Sequence, residues 1–189
     1  NLHKPINLYI FPSYNKFIND QMSGVSGYTP DRNNILLFIS AQKGWKTALK
    51  NTIAHEYAHT CAFANHKWIS LLDSLIFEGI AENFRESIIG GKPARWSKAL
   101  NKKQASVILM ENIKNLNSIN EKKYLQLFLG YNNKYKLWSG YSIGYQIVKS
   151  FIRKNNKLQW SEIVKLEPKE ILRKSEYLNY YGYYYKNPC

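Results

Sequence analysis

Apolar residues in the first 45 positions form short runs that are separated by turn-forming residues. The runs at 6–11 and 35–40 are typical of β-strands, and the first of them ends at a proline, which breaks a strand. Between them, 24–34 is rich in glycine, proline and asparagine. The pattern predicts a strand at 6–11, a short helix or turn at 14–22, and a hairpin whose arms are 25–29 and 35–40.

From residue 46 onward, the apolar residues recur at the three- and four-residue intervals of α-helices. Neither glycine nor proline interrupts 46–65, and 71–82 carries apolar residues at the same helical spacing. Gly90 to Pro93 then breaks the chain. Further helical segments are predicted at 93–116, 121–129, 138–154, 160–166 and 168–174, with a polar loop at 131–136.

These elements predict an α+β fold in a single domain. We expect a small, mostly antiparallel N-terminal sheet packed on the first long helix, followed by a mainly helical C-terminal part. The 189 residues suit one domain, and they contain no internal repeat and no linker long enough to divide them. The expected domain spans 1–189, with a strand-rich part at 1–45, a helix pair at 46–90 and a helical part at 91–189.

The first long predicted helix carries the H-E-x-x-H pattern at residues 55–59. Positions i and i+4 of an α-helix lie above one another on one face, so His55 and His59 can share a zinc ion. Glu56 then lies beside the ion as a candidate base. The alternative is that these side chains merely occupy an exposed helix surface. The apolar flanks of the motif, and the ligand spacing of two of the four histidines in the chain, favour the metal site.

The second long predicted helix offers a third ligand, which a tetrahedral catalytic zinc requires beside its open position. Glu78 and Glu82 lie four residues apart within the apolar segment 71–82, so they share a helix face. Buried carboxylates are costly unless they are paired or bound to metal. Two antiparallel helices that bring these carboxylates to the histidines would explain them. The alternative is a pair of solvated carboxylates on the outer face of the helix.

The sequence H-E-Y-A-H followed by E-G-I-A-E resembles the gluzincin metallopeptidases. The interval of 18 residues, 60–77, between the second histidine and the first of these glutamates is the interval of the aminopeptidase branch. The closer resemblance is to the YjaZ-like family of predicted zinc-dependent proteases. It rests on H-E-Y-x-H at 55–59, L-L-D-x-L-I-x-E-G-x-A-E at 71–82 and G-Y-x-I-G-Y-x-I-V at 140–148.

This resemblance implies a zincin-like fold and zinc-dependent hydrolysis of a peptide or protein substrate. At the matching positions, one zinc ion would be held by His55, His59 and Glu78. Glu82 would accept a hydrogen bond that orients a ligand imidazole. Zinc acidifies a water molecule, and Glu56 would take its proton as general base and later pass it to the leaving amine.

Hydrolysis of a peptide bond also creates an oxyanion, which a phenol donor commonly stabilises together with the metal. Tyr141 and Tyr145 share one face of the predicted helix at 138–154, and Gly140 and Gly144 would allow another backbone or a substrate to approach. By resemblance to the Y-x-x-G pattern of the clan, Tyr141 is the expected donor and Tyr145 the reserve. The alternative is that both tyrosines are core aromatic residues, since the chain has 15 of them.

In gluzincins, an edge strand just before the zinc helix pairs with the extended backbone of the substrate. Such pairing uses the unpaired N–H and C=O groups of a sheet edge. By position and resemblance, the predicted strand at 35–40 is the candidate, and the alternative is that it is a central core strand. The sequence shows no anchor for a substrate terminus, so we expect an endopeptidase.

Charge and composition leave two other kinds of function open. The chain has 27 basic and 13 acidic residues, and this net charge of +14 would suit nucleic acid, an anionic surface or acidic substrates. The lysines are scattered without a compact run, so a basic nucleic-acid or surface binder is a secondary hypothesis. The other is a zinc-bearing scaffold without activity. Glu56 argues against it, since a structural zinc site needs no base.

Compartment and assembly do not follow from the sequence. No segment approaches the about 20 continuous apolar residues of a membrane span, and two cysteines form no disulfide framework. The chain starts at Asn1 rather than Met, so we expect a processed or trimmed soluble protein, either cytoplasmic or secreted. The tyrosine-rich tail at 177–185 indicates no function.

Overall fold

The computed structural model describes residues 5–175 and Tyr177. Within these residues, three strands precede a mainly helical part, so the expected α+β class is confirmed. Of the tyrosine-rich tail at 177–185, every residue except Tyr177 lies outside the described residues. The elements are β1 (Asn7–Pro12), α1 (Lys16–Met22), β2 (Val25–Asp31), β3 (Asn34–Ile39), α2 (Trp45–Asn65), α3 (Leu71–Ile89), α4 (Lys102–Glu111), α5 (Glu121–Leu129), α6 (Ser139–Lys154), α7 (Trp160–Ile163) and α8 (Pro168–Lys174).

The three strands form one sheet in the order β1-β3-β2. The predicted hairpin is confirmed, since β2 pairs antiparallel with β3. β1, which precedes α1 in the chain, pairs parallel with the other side of β3, so the sheet is mixed. The strand predicted at 35–40 was the candidate edge strand, but it is the central strand of the sheet, as the alternative held. Its central position explains why Ile35 and Leu37 are each only 1% exposed. β2 takes the edge beside α2, and Pro30 can lie there because an edge strand tolerates a missing N–H.

The segment predicted as one helix at 93–116 is divided in the structure. A 3₁₀ turn at Trp96–Lys98 precedes α4, and another at Ile113–Asn115 follows it. Asn101 accepts a hydrogen bond from the backbone of Gln104, and the Gln104 side chain accepts one from Asn101 N–H. This capping box starts a new helix, which the apolar spacing alone did not reveal. The loop predicted at 131–136 likewise contains a 3₁₀ turn at Tyr131–Asn133.

Helix α3 lies at the centre of the helical part, between α2 and α6. It begins with a capping box, in which Ser70 accepts from the backbone of Asp73 and Asp73 accepts from the backbone of Ser70. The helix is buried along most of its length, and its apolar residues belong to the main hydrophobic cluster, which places it in the core. None of the described helices is long and apolar enough to cross a lipid bilayer.

Helices α3 and α6 meet backbone to backbone at two glycines. A Cβ atom on Gly144 would lie 1.9 Å from the carbonyl oxygen of Leu75, and one on Gly79 would lie 2.2 Å from the carbonyl oxygen of Gly144. Asn83 ties the same crossing by donating from Nδ2 to the Tyr145 carbonyl at 3.0 Å. Side chains would hold the helices apart, so these glycines set the distance between them and the rotation of α6.

Candidate metal centre

Helix α2 presents the two histidines of the H-E-x-x-H motif on one face. Ala54, Ala58 and Ala62 are buried on this helix, so the histidine face lies against the protein rather than in open solvent. His55 Nε2 and His59 Nε2 are 3.0 Å apart. The i, i+4 spacing has therefore brought two ligand nitrogens to a common point, as the sequence predicted.

Helix α3 brings Glu78 to the same point. Its Oε2 atom lies 3.2 Å from His55 Nε2 and 3.5 Å from His59 Nε2, and the residue is only 6% exposed. The two helices run antiparallel, since His55 also contacts Glu82, whereas His59 contacts only Glu78 of these two glutamates. His55, His59 and Glu78 form a group whose ligand atoms all lie within 4.8 Å of one another.

Glu82 contacts His55 at Nδ1, the ring nitrogen that does not face Glu78. Its Oε1 lies 2.8 Å from His55 Nδ1, and its Oε2 accepts from Ser97 Oγ at 2.8 Å and from an Arg85 Nη at 3.3 Å. A carboxylate at this distance requires the proton on Nδ1, so Nε2 is the nitrogen of His55 that can bind a metal ion. Glu82 thereby fixes both the tautomer and the direction of the His55 ring.

The buried charges of the centre influence one another. Burial would raise the pKa of Glu78, but His59 and His55 lower it to about 2. Burial likewise opposes ionisation of Glu82, yet His55 lowers the pKa of that carboxyl below its usual range. For His55, burial lowers the pKa, and the two glutamates more than offset it, so that the pKa of His55 is raised. The carboxylates therefore keep their negative charge, which attracts a cation to this point.

The donor set fits zinc. Glu78 Oε2 is buried without a hydrogen-bond partner, although it faces the nitrogens of both histidines. Burying an unsatisfied carboxylate oxygen is costly, and a cation at this point would satisfy it. Two imidazoles and one carboxylate are a ligand set that zinc binds, with a fourth position left for water or substrate.

Glu56 lies on the same helix but points toward the sheet. It is 6% exposed, and its Oε2 accepts a hydrogen bond from Thr29 Oγ1 at 2.7 Å. A Cβ atom on Gly27 would lie 2.4 Å from Glu56 Cγ, so the strand backbone lies against this side chain. Strand β2 therefore fixes where the Glu56 carboxylate can point.

The two candidate tyrosines of α6 have different surroundings. Tyr141 lines the cavity at the metal centre, and burial together with the charge of Glu78 raises its pKa well above the usual value. Tyr145 is one turn further along, and its hydroxyl donates to Glu86 Oε2 at 2.7 Å. Tyr145 is absent from the described lining of that cavity.

Comparison with protein families agrees with this geometry. A family model described as "Predicted Zn-dependent protease" (DUF2268) matches residues 2–173, which is most of the chain. The chain belongs to this predicted Zn-dependent protease family. The resemblance found in the three sequence motifs is therefore confirmed. Searches of curated proteins and of solved structures each returned no match.

A cavity of about 900 Å³ opens at the centre of this member of the family. α2 lines it between Thr47 and Phe63, and β2 contributes Gly27 to Thr29. Trp68 closes around the second histidine, since its ring lies 5.1 Å from that of His59. A volume of this size accommodates several residues of an extended peptide.

Sequence reasoning missed four of the residues that surround the centre. They contact it from other elements: Thr29 and Gly27 from β2, Ser97 from the turn before α4, and Tyr124 from α5. Burial and the charge of Glu78 raise the pKa of Tyr124 to about 12. A single threonine, serine or tyrosine has no spacing pattern to reveal it. The glycine within a strand pattern was the one available signal, because such a glycine often marks a close approach.

Proposed function

We propose that this protein is a zinc-dependent endopeptidase of the gluzincin type. The observation that carries the proposal is the convergence of His55, His59 and Glu78 at the floor of a cavity, with Glu56 one residue along the same helix. These three ligands would hold one zinc ion. A structural zinc site is closed by four protein ligands, whereas this one has three and faces a cavity.

When bound, zinc would supply Lewis acidity at the peptide carbonyl and would lower the pKa of a water molecule. Glu56 would accept the proton of that water and then deliver it to the amine of the departing peptide. The hydrogen bond from Thr29 supports this role because it leaves the second carboxylate oxygen of Glu56 free for the proton.

Tyr141 is the proposed donor to the developing oxyanion. It lines the cavity at the metal centre, and its phenol carries the proton that such a donor needs. Tyr145 is less suitable because its hydroxyl is already engaged by Glu86. Tyr141 would therefore donate a hydrogen bond to the developing oxyanion from the lining of the cavity.

The substrate backbone is proposed to pair with β2. Among the described residues, β2 pairs as a strand only with β3, and Gly27 to Thr29 of β2 line the cavity. Gly27 carries no side chain between this edge strand and Glu56. An extended peptide on this edge would lie across the metal centre, with chain continuing at both ends, as an endopeptidase requires.

The test is metal content combined with cleavage. The purified protein should contain one equivalent of zinc and should cut an unbiased peptide mixture, and a chelator should abolish both. Removal of zinc without any effect on cleavage would refute the proposal. Stoichiometric zinc without cleavage of any peptide would instead favour a scaffold that has a metal but no activity.

A further inference from the structure

One wall of the cavity is built of aromatic side chains that the proposed hydrolysis does not use. Phe17 comes from α1, Trp96 from the turn before α4, and Trp138 from the residue before α6. Trp138 makes edge-to-face contacts with both of the others, at centroid distances of 5.9 Å to Phe17 and 6.1 Å to Trp96. We call these three residues the aromatic wall.

The aromatic wall adjoins the metal centre directly. Trp96 and Trp138 line the same cavity as His55 and Glu82, and Trp96 directly precedes Ser97, which donates to Glu82. Trp138 lies three residues before Tyr141, which is about one helical turn. A substrate side chain on this wall would therefore belong to a residue close to the scissile bond.

The surface of the wall is suited to an apolar group. Phe17 is 43% exposed, and Leu129, which lines the same cavity, is 56% exposed. The acidic residues among the described lining are Glu56, Glu78 and Glu82, all of them at the metal centre. Each of these carboxylates is engaged at the metal centre, by Thr29, by the histidines, or by Arg85 and Ser97. The wall itself carries no carboxylate, and covering exposed aromatic surface is favourable in water.

The backbone of Trp138 supports a role for its side chain. Its φ angle is +68°, in the left-handed region that residues with a Cβ rarely adopt. Glycine would adopt this conformation without strain. Strained residues of this kind cluster where a ligand is held, so the indole has a use that offsets the strain.

We propose that the aromatic wall is a specificity subsite, which selects peptide substrates with a bulky apolar or aromatic side chain next to the scissile bond. This inference rests on the proposed function, because a position beside the scissile bond presupposes hydrolysis of the peptide. The binding preference itself requires no hydrolysis. Large rings are favoured because Phe17, Trp96 and Trp138 offer aromatic surface on which the ring of a substrate side chain can stack.

Binding is measured on the zinc-loaded Glu56→Gln variant, in which cutting is too slow to deplete the peptide during the measurement. The probes are two short fluorescein-labelled peptides of glycine, serine and alanine, one with a central phenylalanine and the other with alanine in its place. Fluorescence anisotropy should show that the phenylalanine peptide binds about tenfold tighter or more, because an apolar pocket discriminates by size. Equal affinity for the two peptides would overturn the proposal.

Two variants in the same background locate the preference. Phe17→Ala removes an exposed ring, and Trp138→Gly removes the indole while relieving its backbone strain, so both proteins should fold. Each should reduce the preference for phenylalanine to within about threefold. The matched control is Tyr14→Ala, since Tyr14 is 91% exposed and lies outside the described cavity lining. A full preference in Phe17→Ala and Trp138→Gly would place the subsite elsewhere.

The active protein separates this inference from the proposed function. Zinc-loaded wild type should cut the phenylalanine peptide next to its ring and leave the alanine peptide largely intact. A binding preference without any cutting would refute the peptidase and leave the aromatic wall as a binding site. Cutting of both peptides at equal rates would refute the subsite and leave the peptidase standing.

Discussion

Thr29 donates its hydroxyl hydrogen to Oε2 of Glu56 at 2.7 Å, which joins the edge strand of the sheet to the motif helix. Replacing Thr29 with Val keeps the shape but removes the donor, so the carboxylate loses its fixed direction. We expect kcat/KM to fall about tenfold to a hundredfold, since small misplacements of a base are costly. Zinc content should not change. Thr29→Ser keeps the hydroxyl and is the control. Wild-type activity in the Val variant would show that Thr29 does not position Glu56.

Glu56→Gln separates metal binding from turnover. Glutamine has nearly the same size but cannot take a proton, so activity should fall by about 10²–10⁴-fold. Because His55, His59 and Glu78 are untouched, zinc should remain stoichiometric by elemental analysis. A Gln variant with wild-type rates would show that another group is the base.

Glu78→Gln should remove the metal rather than only the activity. The amide lacks the charge that Glu78 brings to His55 and His59, so we expect zinc to be lost on dialysis against a weak chelator. Elemental analysis before and after dialysis gives the result, and Glu56→Gln is the matched control. Zinc that stays in the Gln variant would move the third ligand elsewhere, and Glu82 would be the first residue to examine.

Phenylalanine substitutions distinguish the two tyrosines of α6. Tyr141→Phe removes the proposed oxyanion donor, so kcat should fall about 10²–10³-fold, with a smaller effect on KM. Tyr145→Phe breaks a hydrogen bond to Glu86 away from the metal centre, so it should leave kcat unchanged. Steady-state kinetics on one peptide measures both variants. The reverse ranking would make Tyr145 the donor, and loss of neither rate would exclude both.

Gly144→Ala tests the contact between α3 and α6. In a free helix alanine is the better residue, but here its Cβ would lie 1.9 Å from the Leu75 carbonyl oxygen, which cannot move without its helix. We expect the free energy of unfolding to fall by about 3 kcal/mol, as overpacking commonly costs. Chemical denaturation measures it. The control Val107→Ala trims an exposed side chain on α4 and should change stability by less than about 1 kcal/mol.

Much of the fold and the approach of the two histidines to each other could be predicted from local pattern, whereas the choice of Glu78 over Glu82 as the third candidate ligand came from the resemblance. Helical spacing placed α2 and α3, and an interval of four residues placed His55 and His59 on one face, because such regularities are properties of the helix itself. The order of the strands could not be predicted, since an apolar run shows that a strand exists but not which strand lies beside it. Thr29 is 27 residues from Glu56, and Ser97 is 15 residues from Glu82. Folding brings each pair together, and no regular spacing in the sequence indicates either contact.

Helical spacing alone did not distinguish the two tyrosines, and only the resemblance to the Y-x-x-G pattern favoured Tyr141. Tyr141 and Tyr145 each follow a glycine directly and share one helix face. Their difference comes from the partner on α3: Glu86 engages the hydroxyl of Tyr145, whereas Tyr141 faces the cavity. That partner is set by the depth of the helix crossing, which depends on the absence of two Cβ atoms.

The glycine contact between α3 and α6 also links the carboxylate of Glu78 to the phenol of Tyr141. Glu78 adjoins Gly79, and Tyr141 lies three residues before Gly144, so the registry of the two helices sets the distance between these groups. The two histidines and Glu56 lie on α2, where β2 holds Glu56 through Thr29. A change of registry at the glycines would therefore displace the phenol relative to the histidine pair without altering that pair.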